Sequence, residues 1–450
     1  MKNKVITRFA PSPTGLPHLG TAMYALLNYL YAKQNDGEVI MRSEDTDPVR
    51  SKPEYEKAII DGLDWLGIKA DKFYRQSERT EIYKKYIAKM IADKTAYIST
   101  ETNEKGVTGD VVRFKNPNKI ITFHDMARGD ISVDTTDLKD FVIARDLESP
   151  LYHLTAVVDD HEMEVTHIIR GEDGLANTPR QILIQEAIGA KRPVYAHYPF
   201  VLMSNRQKMG KRNGAISLQD YMKLGYLPEA IVNFTILLAW HPKDDREIFT
   251  LKDLVKEFEL ERIGKSGAIL DEVKLNWINK EHMKLMTEEI RNKCIKERLN
   301  KFNLAEKISE KVYPIIFDRI SKWGDIDEMV EAGLPAGKAG ELDYYFQAPD
   351  YESTLLYWKG TPAKEETRKH LEYVKNILEK ANDQEFSDIE KIKSLIFDYA
   401  TEQGRGEVLW PVRVSLSGKE KSPDPFTLIY ILEKEESIKR IEKAIKKLSL

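Results

Sequence analysis

A single cysteine, Cys294, in 450 residues excludes an internal disulfide and any zinc site built from several thiolates. So sparing a use of thiols fits a reducing compartment, and the chain is expected to be cytoplasmic. Long apolar runs are missing too. The longest, Ala230 to Trp240, is interrupted by Asn233 and Thr235 and falls far short of the roughly 20 residues a membrane span needs. No apolar stretch follows Met1-Lys2-Asn3-Lys4-Val5, so neither a secretory leader nor a membrane partner is expected. Neither sign of charge prevails: 69 Lys and Arg stand against 73 Asp and Glu, a formal net charge of −4. This balance does not mark a nucleic-acid binder and does not exclude one, because phosphate binding depends on local basic patches. Internal repeats and low-complexity blocks are also lacking. What is present is enough apolar residues, 42%, for packed cores, in a length that suits about three domains of roughly 150 residues.

The patterning changes along the chain. Val5 to Phe9 reads as a buried strand, and Leu19 to Lys33 as a helix with Ala22, Leu26, Leu27 and Leu30 at helical spacing and Gly37 beyond its end. Val39 to Arg42 reads as a second strand, and Ile59, Ile60, Leu63 and Leu66 mark a further helix. Strand, helix, strand in this order predicts an α/β fold with a parallel, doubly wound sheet. From about Thr95 to Pro150, short β-rich runs alternate with turn residues, as in a small inserted domain. The α/β pattern resumes with a strand at Val165 to Arg170, a helix at Arg180 to Ala187 capped by Thr178-Pro179, and a strand at Phe200 to Met203. Beyond Asp220 the chain reads as mostly helical. A Gly/Pro-rich stretch at 332–340 suggests a junction, and a basic run, Lys439-Arg440 to Lys446-Lys447, ends the tail.

Two segments far apart could handle phosphate. Arg8 to Gly20 turns a strand into a helix through Pro11, Ser12, Pro13, Thr14 and Gly15, bringing backbone N–H groups and a helix N-terminus toward an anion. It lacks the Lys-Ser/Thr of a P-loop, since Thr21-Ala22 stands there, and it lacks the dinucleotide fingerprint. An ordinary strand-to-helix turn explains the glycines equally well; His18 at the helix start favours phosphate. Lys208, Lys211 and Arg212 around Gly210 are either a solvated basic turn or the opposite wall of a triphosphate site. Glu44-Asp45-Thr46-Asp47 follows the second strand, where doubly wound folds bind ligands, or serves as turn chemistry before Pro48. Arg170 ends an apolar strand, placed to grip a carboxylate by two parallel bonds or to pair with Glu172 or Asp173. Three decoys fail. His161-Glu162-Met163-Glu164-Val165 lacks the second histidine of a zinc-protease helix; Asp159-Asp160-His161 completes no ligand set; and the sequon at Asn233 has no meaning in a cytosolic protein.

These residues together resemble class I aminoacyl-tRNA synthetases of the bacterial glutamyl type. Arg8 to Gly15 with Pro17-His18-Leu19-Gly20 is similar to the "HIGH" signature, Lys208-Met209-Gly210-Lys211-Arg212 to "KMSKS", and Arg42 to Asp47 to R-x-E-D-T-D. Tyr152 to His161, Thr166 to Asp173, Asn177 to Gln181 and the tail segment Trp410 to Pro423 extend the likeness nearly end to end. Gly210 departs from it, standing where the family has serine; the two lysines remain. The inserted segment also lacks the cysteines that hold zinc in some relatives, so no zinc is expected.

The resemblance implies a Rossmann-type catalytic domain split over 1–94 and 151–220, an inserted α+β acceptor-binding domain at 95–150, a helical stem-contact region at 221–330 and a helical anticodon-binding region at 331–450, in a monomer. It implies ATP with Mg²⁺ and, as partners, L-glutamate and tRNA(Glu), with tRNA(Gln) a further candidate substrate. His18, Lys208 and Lys211 would be catalytic, stabilising charge on the triphosphate, where losing one such contact costs on the order of 3 kcal/mol. Pro11, Thr14, Gly15, Gly20 and Arg212 would join them in binding ATP. Arg8, Ala10, Ser12, Glu44, Tyr152 and Arg170 would bind glutamate, the arginines taking its side-chain carboxylate. Anticodon bases would be read single-stranded by the helical tail; Trp410 there is read as packing more than recognition. The rivals are a glutaminyl-tRNA synthetase, whose C-terminal half is built of β-barrels, a short paralogue that glutamylates queuosine and lacks an anticodon domain, and a catalytically silent tRNA-binding protein.

Overall fold

The computed structural model describes residues 4–102, 106, 108–203, 206–207, 216–331, 341–360 and 363–449. The chain forms two compact units, Met1–Leu285 and Met286–Leu450. In the first, β1 (Ile6–Phe9) leads to α1 (Leu19–Gln34), β2 (Glu38–Ser43), α2 (Pro53–Trp65), β3 (Lys72–Arg75) and α3 (Thr80–Ala92). Strands β4 (Ala96–Thr102), β5 (Thr108–Phe114), β6 (Ile120–Asp125), β7 (Gly129–Asp134) and β8 (Phe141–Ala144) follow. Next come α4 (Tyr152–Glu162), β9 (His167–Gly171), α5 (Thr178–Ile188), β10 (Val194–Tyr198) and β11 (Val201–Leu202). The unit closes with α6 (Leu218–Lys223), α7 (Pro228–Leu237), α8 (Leu251–Glu257), β12 (Ala268–Ile269) and α9 (Glu272–Lys284).

The central sheet has the order β3-β2-β1-β9-β10-β6-β7. All neighbours pair in parallel except β6 and β7. Strand β1 is buried throughout, as expected of a strand covered by helices on both faces. Its partners lie far away in sequence on one side: β2 follows after one helix, whereas β9 comes some 160 residues later. The strand order therefore reverses at β1, and the carboxyl ends of β1 and β9 diverge around a crevice, the place where such sheets bind ligands. Helix α1 buries Leu19, Ala22, Met23, Leu26, Leu27 and Leu30. Its apolar surface exceeds a single stripe because it is covered by the sheet and by α7 and α8 as well.

Three details refine the sequence reading. Residues 95–150 divide between two sheets: β4, β5 and β8 form a separate antiparallel one, while β6 and β7 form the outer edge of the central one. Helix α5 starts earlier than Arg180, with Asn177 at its cap position and Thr178 already helical. The Thr178 hydroxyl turns inward, to the Gly174 carbonyl at 3.1 Å. The apolar run at Ala230 is the buried helix α7. Its interrupting Asn233 is satisfied there, donating to the Glu247 carbonyl and accepting from the Phe249 N–H, both at 2.9 Å. Among the described residues, no helix is long and apolar enough to cross a membrane.

Among the described residues the second unit holds helices and no strand: α10 (Glu288–Asn300), α11 (Tyr313–Arg319), α12 (Asp325–Glu331), α13 (Lys364–Lys380), α14 (Ile389–Gln403), α15 (Arg405–Ser417) and α16 (Pro425–Ser449). Helices α13 to α16 bury Leu371, Val374 and Leu378, Ile392 and Ile396, Val408 and Val412, and Ile441, Ala444 and Leu448, the i, i+3, i+4 spacing of one core-facing stripe. The Gly/Pro-rich stretch 332–340 lies outside the described residues. Trp410 packs against Trp358 and donates its Nε1–H to the Leu355 carbonyl at 2.8 Å. Two members of the terminal basic run turn inward, Arg440 donating to the Tyr344 and Leu416 carbonyls and Lys447 to Asp350 and the Tyr351 carbonyl, while Lys439, Lys443 and Lys446 stay exposed.

Candidate active site

A cleft of about 580 Å³ opens where β1 and β9 diverge. Arg8, Ala10, Ser12, Glu44, Tyr152 and Arg170 all line it. So do Pro11, Thr14, Gly15, His18 and Gly20, which continue from β1 into α1. The structure thus gathers every described site residue of the sequence reading into one cavity. Lys208, Lys211 and Arg212 lie outside the described residues.

The β1–α1 loop is pinned by the β2–α2 connection. Glu44 N–H donates to the Pro11 carbonyl at 2.9 Å and Lys52 N–H to the Pro13 carbonyl at 3.0 Å. His18 caps α1: its Nδ1 accepts from the Gly20 N–H at 3.1 Å, while its own N–H donates to the Thr21 hydroxyl at 3.3 Å. A neutral ring that accepts at Nδ1 carries its proton on Nε2, a donor suited to a phosphate oxygen. The first turn of α1 holds no acidic residue, so its partial positive charge is left for an anion. A Cβ on Gly20 would come within 2.9 Å of the imidazole, which explains the glycine.

The floor of the cleft is an ion-pair hub. Asp160 accepts from Arg42 Nη1 at 2.7 Å and from Arg8 Nε at 3.2 Å. Arg42 also reaches Glu44 at 3.3 Å and Asp159 at 3.6 Å, and Arg8 donates to the Tyr24 hydroxyl at 2.9 Å. Asp159 in turn accepts from Gln76, Arg79 and Tyr83. Burial pushes the Asp160 carboxyl up, but Arg8 and Arg42 outweigh it and hold the group below the usual aspartate range. At Glu44 burial wins over the same two arginines and the carboxyl is raised. The Asp159-Asp160 pair, which sequence reading set aside as a failed metal site, is therefore the counter-charge for the arginines. No signal in the sequence joined residues separated by 118 positions.

Arg170 differs. It is 5% exposed, and its Nε donates to His197 Nε2 at 3.0 Å. Its Nη2 donates to the Gly174 carbonyl at 3.0 Å and the Thr178 hydroxyl at 2.9 Å. Its Nη1 has no hydrogen-bond partner, and Arg170 makes no ion pair with a carboxylate among the described residues. Glu172, a partner suggested by sequence, pairs with Arg128 at 2.7 Å instead. A buried cation with no carboxylate in direct contact is costly, so this corner favours an acidic group from outside.

The flanks of the lysine segment are described on both sides. Strand β11 pairs with β12, and Phe200 and Val201 line the cleft. After Ile216 the chain returns to the first loop, where the Leu218 N–H donates to the Pro17 carbonyl at 2.9 Å.

Comparison with known proteins covers the whole chain. Residues 4–106 and 108–277 match the family described as tRNA synthetases class I (E and Q), catalytic domain. Residues 295–445 match the anticodon binding domain family. The chain is 35% identical to the glutamate--tRNA ligase of Aquifex aeolicus, over 99% of this chain and all of that one. It is 36% identical to glutamate--tRNA ligase 1 of Caldicellulosiruptor saccharolyticus, over 98% of each. Among solved structures, a glutamate tRNA ligase from Elizabethkingia meningosepticum in complex with its amino acid is similar with a TM-score of 0.87 at 31% identity, over 99% of this chain and all of that one.

Proposed function

The chain belongs to the class I tRNA synthetases of the E and Q group, and on that premise we propose that it joins L-glutamate to tRNA(Glu) through glutamyl-adenylate, with ATP as the activating substrate. One observation carries the choice of amino acid: Arg170, buried in the cleft, has no carboxylate partner of its own and an unpaired Nη1. The γ-carboxylate of glutamate supplies the missing charge and accepts the free N–H groups. Glutamine offers an amide whose NH₂ would face a donor, leaving a buried guanidinium under-satisfied.

The chemistry has two displacements. An oxygen of the substrate α-carboxylate attacks the α-phosphorus of ATP and pyrophosphate leaves. The 2′-hydroxyl of the terminal adenosine of tRNA then attacks the activated carbonyl and AMP leaves. Neither needs a side-chain nucleophile, so the protein contributes position and charge stabilisation. His18 and the N-terminus of α1, with Lys208, Lys211 and Arg212, stabilise charge on the phosphates. Pro11, Thr14, Gly15 and Gly20 shape the backbone around them. Glu44 and Tyr152 face the substrate ammonium, Ala10 and Ser12 line its path, and Arg8 adds positive field from the floor. Mg²⁺ arrives on ATP, held by phosphates and water, and no zinc takes part.

Residues 1–94 and 151–220 are the proposed catalytic domain, 95–150 the acceptor-binding insertion, 221–330 the stem-contact region and 331–450 the anticodon-binding region, in a monomer. The helical second unit favours a glutamate enzyme over a glutamine one with its β-barrel tail. Pyrophosphate exchange with L-glutamate, ATP and tRNA tests the reading. Glutamate-dependent exchange is expected; exchange at background defeats it.

A further inference from the structure

We propose that Asp125 and His197 are positioning residues that aim the Arg170 guanidinium at the side-chain carboxylate of the amino-acid substrate, an inference that rests on the glutamate reading above.

The geometry forms a directed chain. Arg170 Nε is always a donor, and it lies 3.0 Å from His197 Nε2. That ring nitrogen must therefore be bare and accept. The other nitrogen, Nδ1, then carries the proton and donates to Asp125 Oδ2 at 2.6 Å. Asp125 is held in turn by its second oxygen. Oδ1 accepts from the backbone N–H groups of Ala127 at 3.1 Å, Arg128 at 2.9 Å and His197 at 3.2 Å. Both side chains are fully buried. With the Gly174 carbonyl and Thr178 hydroxyl taking Nη2, three of the five guanidinium N–H groups are committed. The plane of the group is set, and only Nη1 is left to meet a ligand.

This arrangement makes an unusual demand on Asp125. In an asparagine, the carbonyl oxygen would take the Oδ1 place, where three N–H groups converge. Its NH₂ would then face His197 Nδ1. The imidazole would have to accept there and move its proton to Nε2, opposite Arg170 Nε–H. Two donors would confront each other and the guanidinium would turn away, although shape and volume are almost unchanged. The same tautomer logic operates in hydrolase triads, where the carboxylate orients a histidine; here the histidine orients an arginine.

The test uses the full chain, measuring KM for L-glutamate and for ATP in tRNA charging, the ratio of kcat/KM for L-glutamate over L-glutamine, and the melting temperature. Asp125→Asn and His197→Leu are expected to raise the glutamate KM on the order of 10- to 100-fold and to lower the glutamate-to-glutamine ratio, with the ATP KM unchanged. His197→Gln, which keeps an acceptor facing Arg170, is expected to restore most of the glutamate KM lost in His197→Leu. An unchanged glutamate KM in Asp125→Asn overturns the proposal, as does a parallel rise of the glutamate and ATP values. Should His197→Leu show no melting transition, Asp125→Asn decides alone. Failure of the wild-type chain to charge tRNA with glutamate rejects the underlying reading instead, whatever the variants do.

Discussion

Two buried arginine clusters meet in one cleft and are built on opposite terms. On the floor, Arg42 is surrounded by Asp160, Glu44 and Asp159, and Arg8 shares Asp160. At the wall, Arg170 is surrounded by an imidazole nitrogen, a carbonyl and a hydroxyl. The first cluster is closed on itself and ties β1 and β2 to α4. The second is held by neutral acceptors that fix its direction without cancelling its charge. On the proposed reading, Arg42, which serves the fold, is given carboxylates, and Arg170, which would serve a ligand, is given only orientation.

Matched substitutions would break this contrast if it is wrong. Arg42→Met takes a shared cation from three carboxylates, leaving Asp160 to Arg8, Asp159 to Arg79 and Glu44 without its arginine, and breaking a buried pair in this way costs about 3–5 kcal/mol. A large loss of melting temperature is expected by calorimetry. Arg170→Met removes a charge that no carboxylate contacts directly and leaves only the neutral acceptors on His197, Gly174 and Thr178 without their donor, so the melting temperature should fall much less than in Arg42→Met. In charging assays, however, kcat/KM for glutamate should fall about 30- to 5,000-fold, the equivalent of the roughly 2–5 kcal/mol lost on removing one member of a buried charged pair. Equal destabilisation by the two would erase the distinction.

A smaller effect is expected at Gly174. A Cβ there would lie 2.3 Å from Arg170 Nε and 2.6 Å from its Cδ, so the guanidinium must shift. Gly174→Ala should raise the glutamate KM about 10-fold, in keeping with an overpacking cost of about 1–3 kcal/mol, while ATP binding stays as it was. The smallest effect is on acid stability. Burial depresses His167 to about 4; burial, with Arg180 and Arg170 nearby, does the same to His153. Since both values lie below the unfolded 6.5, the unfolded chain takes up more protons between them. Their stabilising share is complete above pH 6.5 and is lost as pH falls toward 4. Thermal melts across that window should show the decline, and Arg170→Met should soften only the part that belongs to His153.

Much of this was legible in the order of residues. The β1–α1–β2 succession declares itself through a short apolar run, a helical repeat and a second run, and these place His18 and Glu44 at strand ends by topology alone. Arg170 stood out as a cation closing an apolar strand. Its supports did not. His197 lies 27 residues away and Asp125 another 72, and nothing in a single chain says that β6 lies beside β10. Alternating residues in 120–134 announce a strand pair but not the sheet it joins, which is why 95–150 read as self-contained. The one faint signal was Asp125 ahead of Met126-Ala127-Arg128-Gly129, an aspartate poised to fold a turn around its own side chain.

The mixed allegiance of 95–150 has a practical corollary for protein engineering. A chimera that exchanges this stretch as a cassette between relatives would replace β4, β5 and β8 cleanly. It would also carry off the rim of the main sheet and, with Asp125, the anchor of the imidazole. A graft point drawn from connectivity alone therefore cuts through the proposed support of Arg170. A crossover that spares 120–134 respects the boundary the molecule itself uses.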